Sequence, residues 1–540
     1  MSARVIAYVA GGAVCFVLGI RSRRVVNGLQ VLIAKGRKNK RRNALAGNYG
    51  PVRREVFSAE CEVVAGELPA ELDGVYMRNG SNPFYDPYAS YHWFEGDGMV
   101  HATRIKDGVA SFCNRFVDTH KLREEKRAGF PIYAKFGDQE GVRGVFVAML
   151  ELLKQRVGII RGQPLTQQGS GTANTSLVYH AGRLLALHEG DLPYQLKMLC
   201  EGVLSTVGRV SVGDWQVPFT AHPKLDTTTG NLHIIGYQID RQPYLTYGVL
   251  SPNGSLLKSF PIPVAFPSMF HDFAITEHYA VFMHMPLVFD PKAMIEHNTL
   301  PVIFKPEMPS RIGLLPLTAR SGDEVVWYEL PSFYVFHIAN AWEEAGKVKM
   351  VACQAERVDL NAMKFNEDMA SRMTEYIIDP AKGTAQLRRI SSVVGDFPLV
   401  HPAMYGKPTR YAYTAITDTK DDAAQVKGIA KFDLATPPSQ KEAAIATIEW
   451  DSARGGEAFF VPRSQDPAQC NGEDDGFLLV YVYEAQADAS FLHVYNAQTM
   501  DSTPLAVVKL PQRVPHGFHT YWMSGEQIRQ QQLPGMALQH

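Results

Sequence analysis

Four histidines constrain this chain more than any other feature. His222, His271, His337 and His519 stand in or beside short apolar runs, at Ala221-His222-Pro223-Lys224, Phe270-His271-Asp272-Phe273, Phe336-His337-Ile338-Ala339 and Gly517-Phe518-His519-Thr520. They lie far apart in sequence, and only a closed fold brings such residues together. If they meet, they make an all-imidazole site without a cysteine partner, and imidazole donors suit iron, zinc, copper or nickel. The chain has 17 histidines, and a lone one is more often a surface or structural residue, so their convergence is the point to test.

The runs around them read as β-structure. Leu232–Gly236, Tyr279–His284, Val325–Glu329, Val348–Cys353, Tyr411–Ala415 and Phe477–Tyr483 are short, β-rich and closed by Gly, Pro, Asn or Asp. Regular short strands with turn signals indicate a sandwich, a barrel or a propeller. No clean internal repeat marks a WD40-type array, but a propeller with diverged blades also fits, and its axial channel is one of few places where distant strands can pool histidines. At 46% hydrophobic residues the chain has ample material for a large core. A formal net charge of −1 gives no global basic excess, so nucleic acid is not an expected partner. Cys15, Cys61, Cys113, Cys200, Cys353 and Cys470 are scattered without close pairs, so neither a zinc knuckle nor a disulfide framework is expected.

Two segments suggest a membrane. Val5–Ile20 is uncharged and mostly apolar, flanked by Arg4 and by Arg21, Arg23 and Arg24, with a second basic cluster from Lys35 to Arg42. It falls just short of the ~17 to 25 residues that a spanning helix needs. It reads as a retained anchor, or as a targeting segment that is removed. The heavier positive flank after it puts the bulk of the protein on the cytoplasmic side. Phe146, Met149, Leu150, Leu153 and Val157 follow helical spacing; this helix either packs on the core or dips an apolar face into a bilayer. Residues 1–45 are expected to form anchor and basic linker, 46–523 the β-domain, and 524–540 a C-terminal tail.

Imidazole ligands usually donate their second N–H to a carboxylate or carbonyl. Glu189 in His188-Glu189-Gly190-Asp191, Asp396 in Gly395-Asp396-Phe397-Pro398 and Glu457 in Gly455-Gly456-Glu457-Ala458 are candidates, against the plainer reading of exposed carboxylates. The chain resembles the carotenoid cleavage oxygenases. The likeness runs through Tyr76-Met77-Arg78-Asn79-Gly80-Ser81-Asn82-Pro83, Trp93-Phe94-Glu95-Gly96-Asp97-Gly98, Ala221-His222-Pro223-Lys224, His271-Asp272-Phe273-Ala274, His337-Ile338-Ala339-Asn340, Phe460-Val461-Pro462-Arg463, Glu473-Asp474-Asp475-Gly476 and Val514-Pro515-His516-Gly517-Phe518-His519. It covers about residues 46 to 523 and is nearest the plant-type members that cleave the 9,10 and 9′,10′ double bonds.

The resemblance implies a fold, a metal and a reaction. The fold would be all-β, a seven-bladed β-propeller with an axial metal site, capped by loops and a few helices. His222, His271, His337 and His519 would be the catalytic ligands of Fe(II), with Glu189, Asp396 and Glu457 accepting their outer N–H groups. Asp396 is one methylene shorter than the glutamate found there in several relatives, which leaves its direct hydrogen bond open. His516 stands where many relatives carry tyrosine and is not counted as a ligand; His188 has no assigned role. The expected reaction adds O₂ across one double bond of a carotenoid or apocarotenoid and releases two aldehydes or ketones. Phe270, Tyr334 and Phe336 would line an apolar tunnel, or simply fill the core. The same iron could serve a 9-cis-epoxycarotenoid or a stilbene, the latter asking for a Tyr and a Lys nearby; a non-catalytic membrane-bound propeller is the third reading. The expected location is membrane-associated, on the cytoplasmic side or in a plastid.

Overall fold

The computed structural model describes residues 45–532 apart from 88–90, 157–168, 200, 362–366, 420–424, 438 and 467–468, so the expected anchor at Val5–Ile20 lies outside the described residues. Among these, the strands group into seven antiparallel blades. The first holds Gly74–Ser81, Gly98–Lys106 and Val109–Phe116. The second runs from Ser176–His180 through Arg183–Leu187 and Tyr194–Met198 to Leu204–Arg209. The third runs from Lys224–Leu225 through Leu232–Tyr237 and Leu245–Leu250 to Leu256–Ile262. The fourth runs from Phe273–Ile275 through Tyr279–His284 and Ser310–Pro316 to Val326–Leu330.

Blades five and six share one long strand, Thr384–Val400. Its first part completes the sheet of Tyr334–Glu344, Lys347–Ala355 and Arg372–Asp379. Its last residues begin the sheet of Tyr411–Asp418, Gln425–Asp433 and Ala444–Glu449. The seventh blade is Phe459–Pro462, Gly476–Glu484, Ala489–Asn496 and Ala506–Lys509. The chain ends then close the ring. Thr520–Ser524 pairs with Gly74–Ser81 in the first blade, and Val56–Gly66 pairs with both Val109–Phe116 and Ala506–Lys509.

Local chemistry makes these sheets. Asp107-Gly108, Ala181-Gly182 and Ala345-Gly346 are two-residue hairpin loops with both residues at positive φ, 51° and 74°, 52° and 70°, 50° and 74°, the turn whose twist matches the flanking strands. Side chains alternate across each sheet, and here both faces are covered. Tyr76 packs toward the seventh blade with Phe112, Leu479 and Leu492, while Val75 and Met77 pack toward the second with Leu184 and Tyr194. Equivalent apolar layers separate the second and third blades, the third and fourth, the fourth and fifth, the fifth and sixth and the sixth and seventh. A core between every neighbouring pair, including the last and the first, is what a closed propeller requires.

The helix is Gly141–Arg156: Val147 and Lys154 are buried, Leu150 of the expected stripe packs on Ile132 and Tyr133, and Met149 from the same stripe is 58% exposed. Lys154 reaches inward because its ammonium donates to the Ile132 carbonyl at 2.7 Å; Val157 lies outside the described residues. Beyond the last strand, the helix Gly525–Arg529 is held by Gly525 N–H to the Asp73 carbonyl at 2.8 Å, and Gln531 binds Met198 O at 2.6 Å. Cys61, Cys113, Cys353 and Cys470 are free thiols.

Candidate metal centre

The inner strand or an adjoining loop of every blade delivers one polar side chain to the axis. His519 directly precedes the inner strand of the first blade, His222 and His271 stand one residue further before those of the third and fourth, and His337 lies within that of the fifth. Glu189 comes from the loop after Arg183–Leu187 in the second blade, Asp396 from the inner strand of the sixth, and Glu457 from just before that of the seventh. The four imidazoles offer nitrogens that all lie within 4.8 Å of one another. Nε2 of His271 is 3.1 Å from Nε2 of His222 and 3.3 Å from Nε2 of His337.

Three rings are held from behind. Nδ1 of His271 meets Glu189 Oε2 at 2.8 Å, Nδ1 of His337 meets Asp396 Oδ1 at 2.9 Å, and Nδ1 of His519 meets Glu457 Oε1 at 2.9 Å. A neutral imidazole that donates from Nδ1 carries a bare lone pair on Nε2. In their neutral forms the bare pairs of His271 and His337 therefore face each other at 3.3 Å, a repulsive arrangement unless a proton or a metal ion lies between them. Nitrogens sharing one ion at about 2.1 Å and a right angle stand about 3.0 Å apart, so the observed spacing fits a shared metal.

Electrostatics agree. Burial and then the neighbouring imidazoles push His222 well below its ordinary value. Burial alone would lower His271, but the Glu189 carboxylate carries it above. Burial opposes ionisation of Glu189, yet His271, His188 and a hydrogen bond from Tyr237 hold its carboxyl below the usual range. Four neutral rings leave a divalent ion uncompensated, and the carboxylates behind them supply charge one bond removed.

Asp396 reaches its histidine despite its short side chain. The pairing with Tyr411–Asp418 is irregular between Asp396 and Leu399, and Phe397 adopts φ 55°, in the left-handed region. This bulge re-aims the side chain, and Phe397 then stacks on His337 at 5.0 Å.

Asp272 is a site residue that the sequence reading passed over. Its Oδ1 pairs with Lys224 Nζ at 2.7 Å and its Oδ2 accepts from Ile338 N at 2.8 Å. It thus ties together segments next to His222, His271 and His337. Its place immediately after His271 was the available signal. The first motif has a similar role at the ring seam. Arg78 donates to the Val514 and Pro515 carbonyls, and Asn79 N–H donates to His519 O at 3.0 Å. A Cβ on Gly80 would lie 2.7 Å from Gly517 Cα, so only glycine allows this approach.

A cavity of about 370 Å³ opens onto the rings, lined by Trp93, Phe94, Met269, Phe336, Phe397 and Phe518 among others. Tyr334 and Phe336 line it as expected. Phe270 does not; it packs between blades three and four and stacks on His284 at 5.3 Å. Its neighbour His271 faces the axis, and adjacent side chains on extended backbone point to opposite sides. His516 is outside the four-ring cluster, 4.6 Å from Tyr49, and burial together with Arg78 pushes it down to about 3.

A family model described as RPE65, retinal pigment epithelial membrane protein, matches residues 49–524. The chain belongs to the carotenoid cleavage oxygenase family. It is 38% identical over 502 residues to carotenoid 9,10(9′,10′)-cleavage dioxygenase 1 of Pisum sativum, covering 90% of this chain and 91% of that protein. The lignostilbene dioxygenase of Pseudomonas brassicacearum superposes with a TM-score of 0.75 at 25% identity, over 91% of this chain and 100% of that one. Cobalt-substituted Synechocystis ACO superposes with a TM-score of 0.69 at 27% identity, over 88% and 97%. Within this oxygenase family fold, the four-histidine cluster could hold a metal ion.

Proposed function

We propose that this protein is an Fe(II) dioxygenase that cleaves a conjugated double bond of a carotenoid or apocarotenoid. The observation that carries this reading is the convergence of imidazole Nε2 atoms 3.1 and 3.3 Å apart, opening onto an apolar cavity. His222, His271, His337 and His519 would hold the ion. Zinc has no redox chemistry, whereas imidazoles also suit iron. Bound Fe(II) would supply the activation of O₂. The products need no other reductant, since one alkene and one O₂ yield two carbonyl groups.

The chain's own residues do the rest. Glu189, Asp396 and Glu457 fix ring orientation and tautomer. The aromatic walls exclude water and set which alkene of an otherwise featureless polyene reaches the axis. A stilbene asks for a lysine beside a tyrosine, and no lysine occurs among the described lining residues, which favours the carotenoid.

Substrate delivery belongs to the same proposal. Among the described residues no helix is long and apolar enough to cross a membrane. However, Val142 and Met149 on Gly141–Arg156 and Ile295 on the adjoining helix Pro291–His297 are exposed. Leu300 N–H donates to Asn361 beside the cavity residues Asp359 and Leu360. An apolar rim here would draw a lipid-soluble substrate from a bilayer.

The test is metal analysis of the purified protein, with O₂ uptake and product mass spectrometry on a carotenoid, a 9-cis-epoxycarotenoid and resveratrol. One iron per chain and paired carbonyl fragments from the carotenoid are expected. Cleavage of resveratrol alone would assign the stilbene, and an iron-free protein that consumes no O₂ would overturn the enzyme reading.

A further inference from the structure

The cavity contains polar groups that cleavage of a bare hydrocarbon polyene does not use. His188 lines it beside Glu189. Its Nδ1 accepts a hydrogen bond from Gly190 N at 3.0 Å, so the neutral ring carries its proton on Nε2. Burial keeps that ring neutral by lowering its pKa. Nε2 has no protein partner among the described residues, so a donor in the cavity wall is left unused.

Tyr334 repeats the pattern. It lines the same cavity, is 1% exposed, and its hydroxyl has no hydrogen-bond partner among the described residues. Buried hydroxyls are normally satisfied, and an orphan asks for an explanation. Both side chains lie in the field of Glu189, but that carboxylate is engaged by His271 and Tyr237. A buried hydroxyl on Tyr334 and an unpaired ring N–H on half-buried His188, both on the wall of an aromatic cavity, point to an acceptor that arrives with the substrate.

We propose that His188 Nε2–H and Tyr334 Oη–H form a polar subsite that donates to an oxygen carried by the polyene. The preferred substrates are then carotenoids or apocarotenoids bearing a hydroxyl, carbonyl or epoxide oxygen, in preference to hydrocarbon carotenes. This rests on the polyene reading of the site. An unpaired donor also discriminates against the hydrocarbon, because binding it would bury the donor without compensation.

The experiment compares the metal-loaded enzyme with His188→Phe, Tyr334→Phe and the double variant. The probes are a carotenoid with ring hydroxyls and its parent hydrocarbon with the same polyene, in one detergent so that partitioning cancels. Two ratios are read, alcohol over hydrocarbon: kcat/KM from product formation, and affinity from quenching of tryptophan fluorescence, which requires no turnover. The unmodified enzyme should favour the alcohol. Each variant should lower both ratios about tenfold, the worth of one hydrogen bond, with the kinetic change in KM and the metal content retained. Ratios that stay constant in every variant would overturn the subsite. If the unmodified enzyme cleaves neither probe, the dioxygenase reading fails and the affinity ratios alone decide: a preference abolished in the variants supports the subsite, and equal affinities overturn it.

Discussion

Three of the four imidazoles at the centre are addressed at both nitrogens, and that pairing makes single residues testable. Glu457 uses one oxygen for His519 Nδ1, at 2.9 Å, and the other for Thr520 N–H and Oγ1. Glu457→Gln can present an amide N–H to the imidazole nitrogen that must donate, which disturbs the tautomer. Metal affinity should fall about 10- to 100-fold, measured by competition with a chelator; unchanged affinity would make Glu457 a bystander. His337→Ala removes a nitrogen from the centre and should abolish both metal binding and turnover, checked by metal analysis and product formation. The seven polar residues were legible one by one in the sequence. The reach of Asp396 was not, because it depends on a bulge and on the positive φ of Phe397.

Elements, rather than residues, set the spacing between rings. The Asp272–Lys224 pair locks the third blade to the fourth, and Asp272 to Ile338 locks the fourth to the fifth. Their side chains are 3% and 14% exposed. Asp272→Ala leaves Lys224 largely buried without a counter-charge and should cost about 3–5 kcal/mol, read from equilibrium denaturation, with metal lost in parallel. A second buried charge cluster lies under the helix His120–Ala128. Lys121 bridges Asp97 at 2.9 Å and Glu125 at 2.8 Å. Nearby, burial and then Asp138 push the Glu95 carboxyl up from 4.5 to about 7. Below pH 4.5 Glu95 is protonated whether folded or not. Between 4.5 and about 7 the folded protein keeps a proton that the unfolded chain releases, so stability falls as pH rises through this window. Glu95→Gln should flatten that decline in unfolding free energy; an unchanged slope would place the titration elsewhere. Helical periodicity located Gly141–Arg156 and the inward Leu150, but not the inward Lys154, whose burial depends on the Ile132 carbonyl that meets it.

For the whole molecule, closure is the decisive property. Seven apolar layers alternate with seven blades, and the last layer exists only because Thr520–Ser524 and Val56–Gly66 join the two ends of the chain. That seam also carries His519. Removing residues 520–532 strips the first blade of its inner strand and exposes the layer around Trp522, Tyr76 and Leu479. The shortened chain should lose its single cooperative thermal transition and its metal together, measured by calorimetry with metal analysis. A shortened chain that keeps both would show that the ring holds without its seam.

The strand runs, their turn residues, the four histidines and the three carboxylates could be read directly from residue order, because alternation, turn chemistry and donor type are local properties. Family membership was readable for the same reason, from motifs such as Ala221-His222-Pro223-Lys224. Folding in three dimensions settled which imidazole nitrogens are bare, how Asp396 reaches His337, that Phe270 belongs to the core, and that His188 and Tyr334 leave donors unmet in the cavity. These depend on distances between side chains from different blades, and no spacing along one chain encodes such a distance until the ring closes.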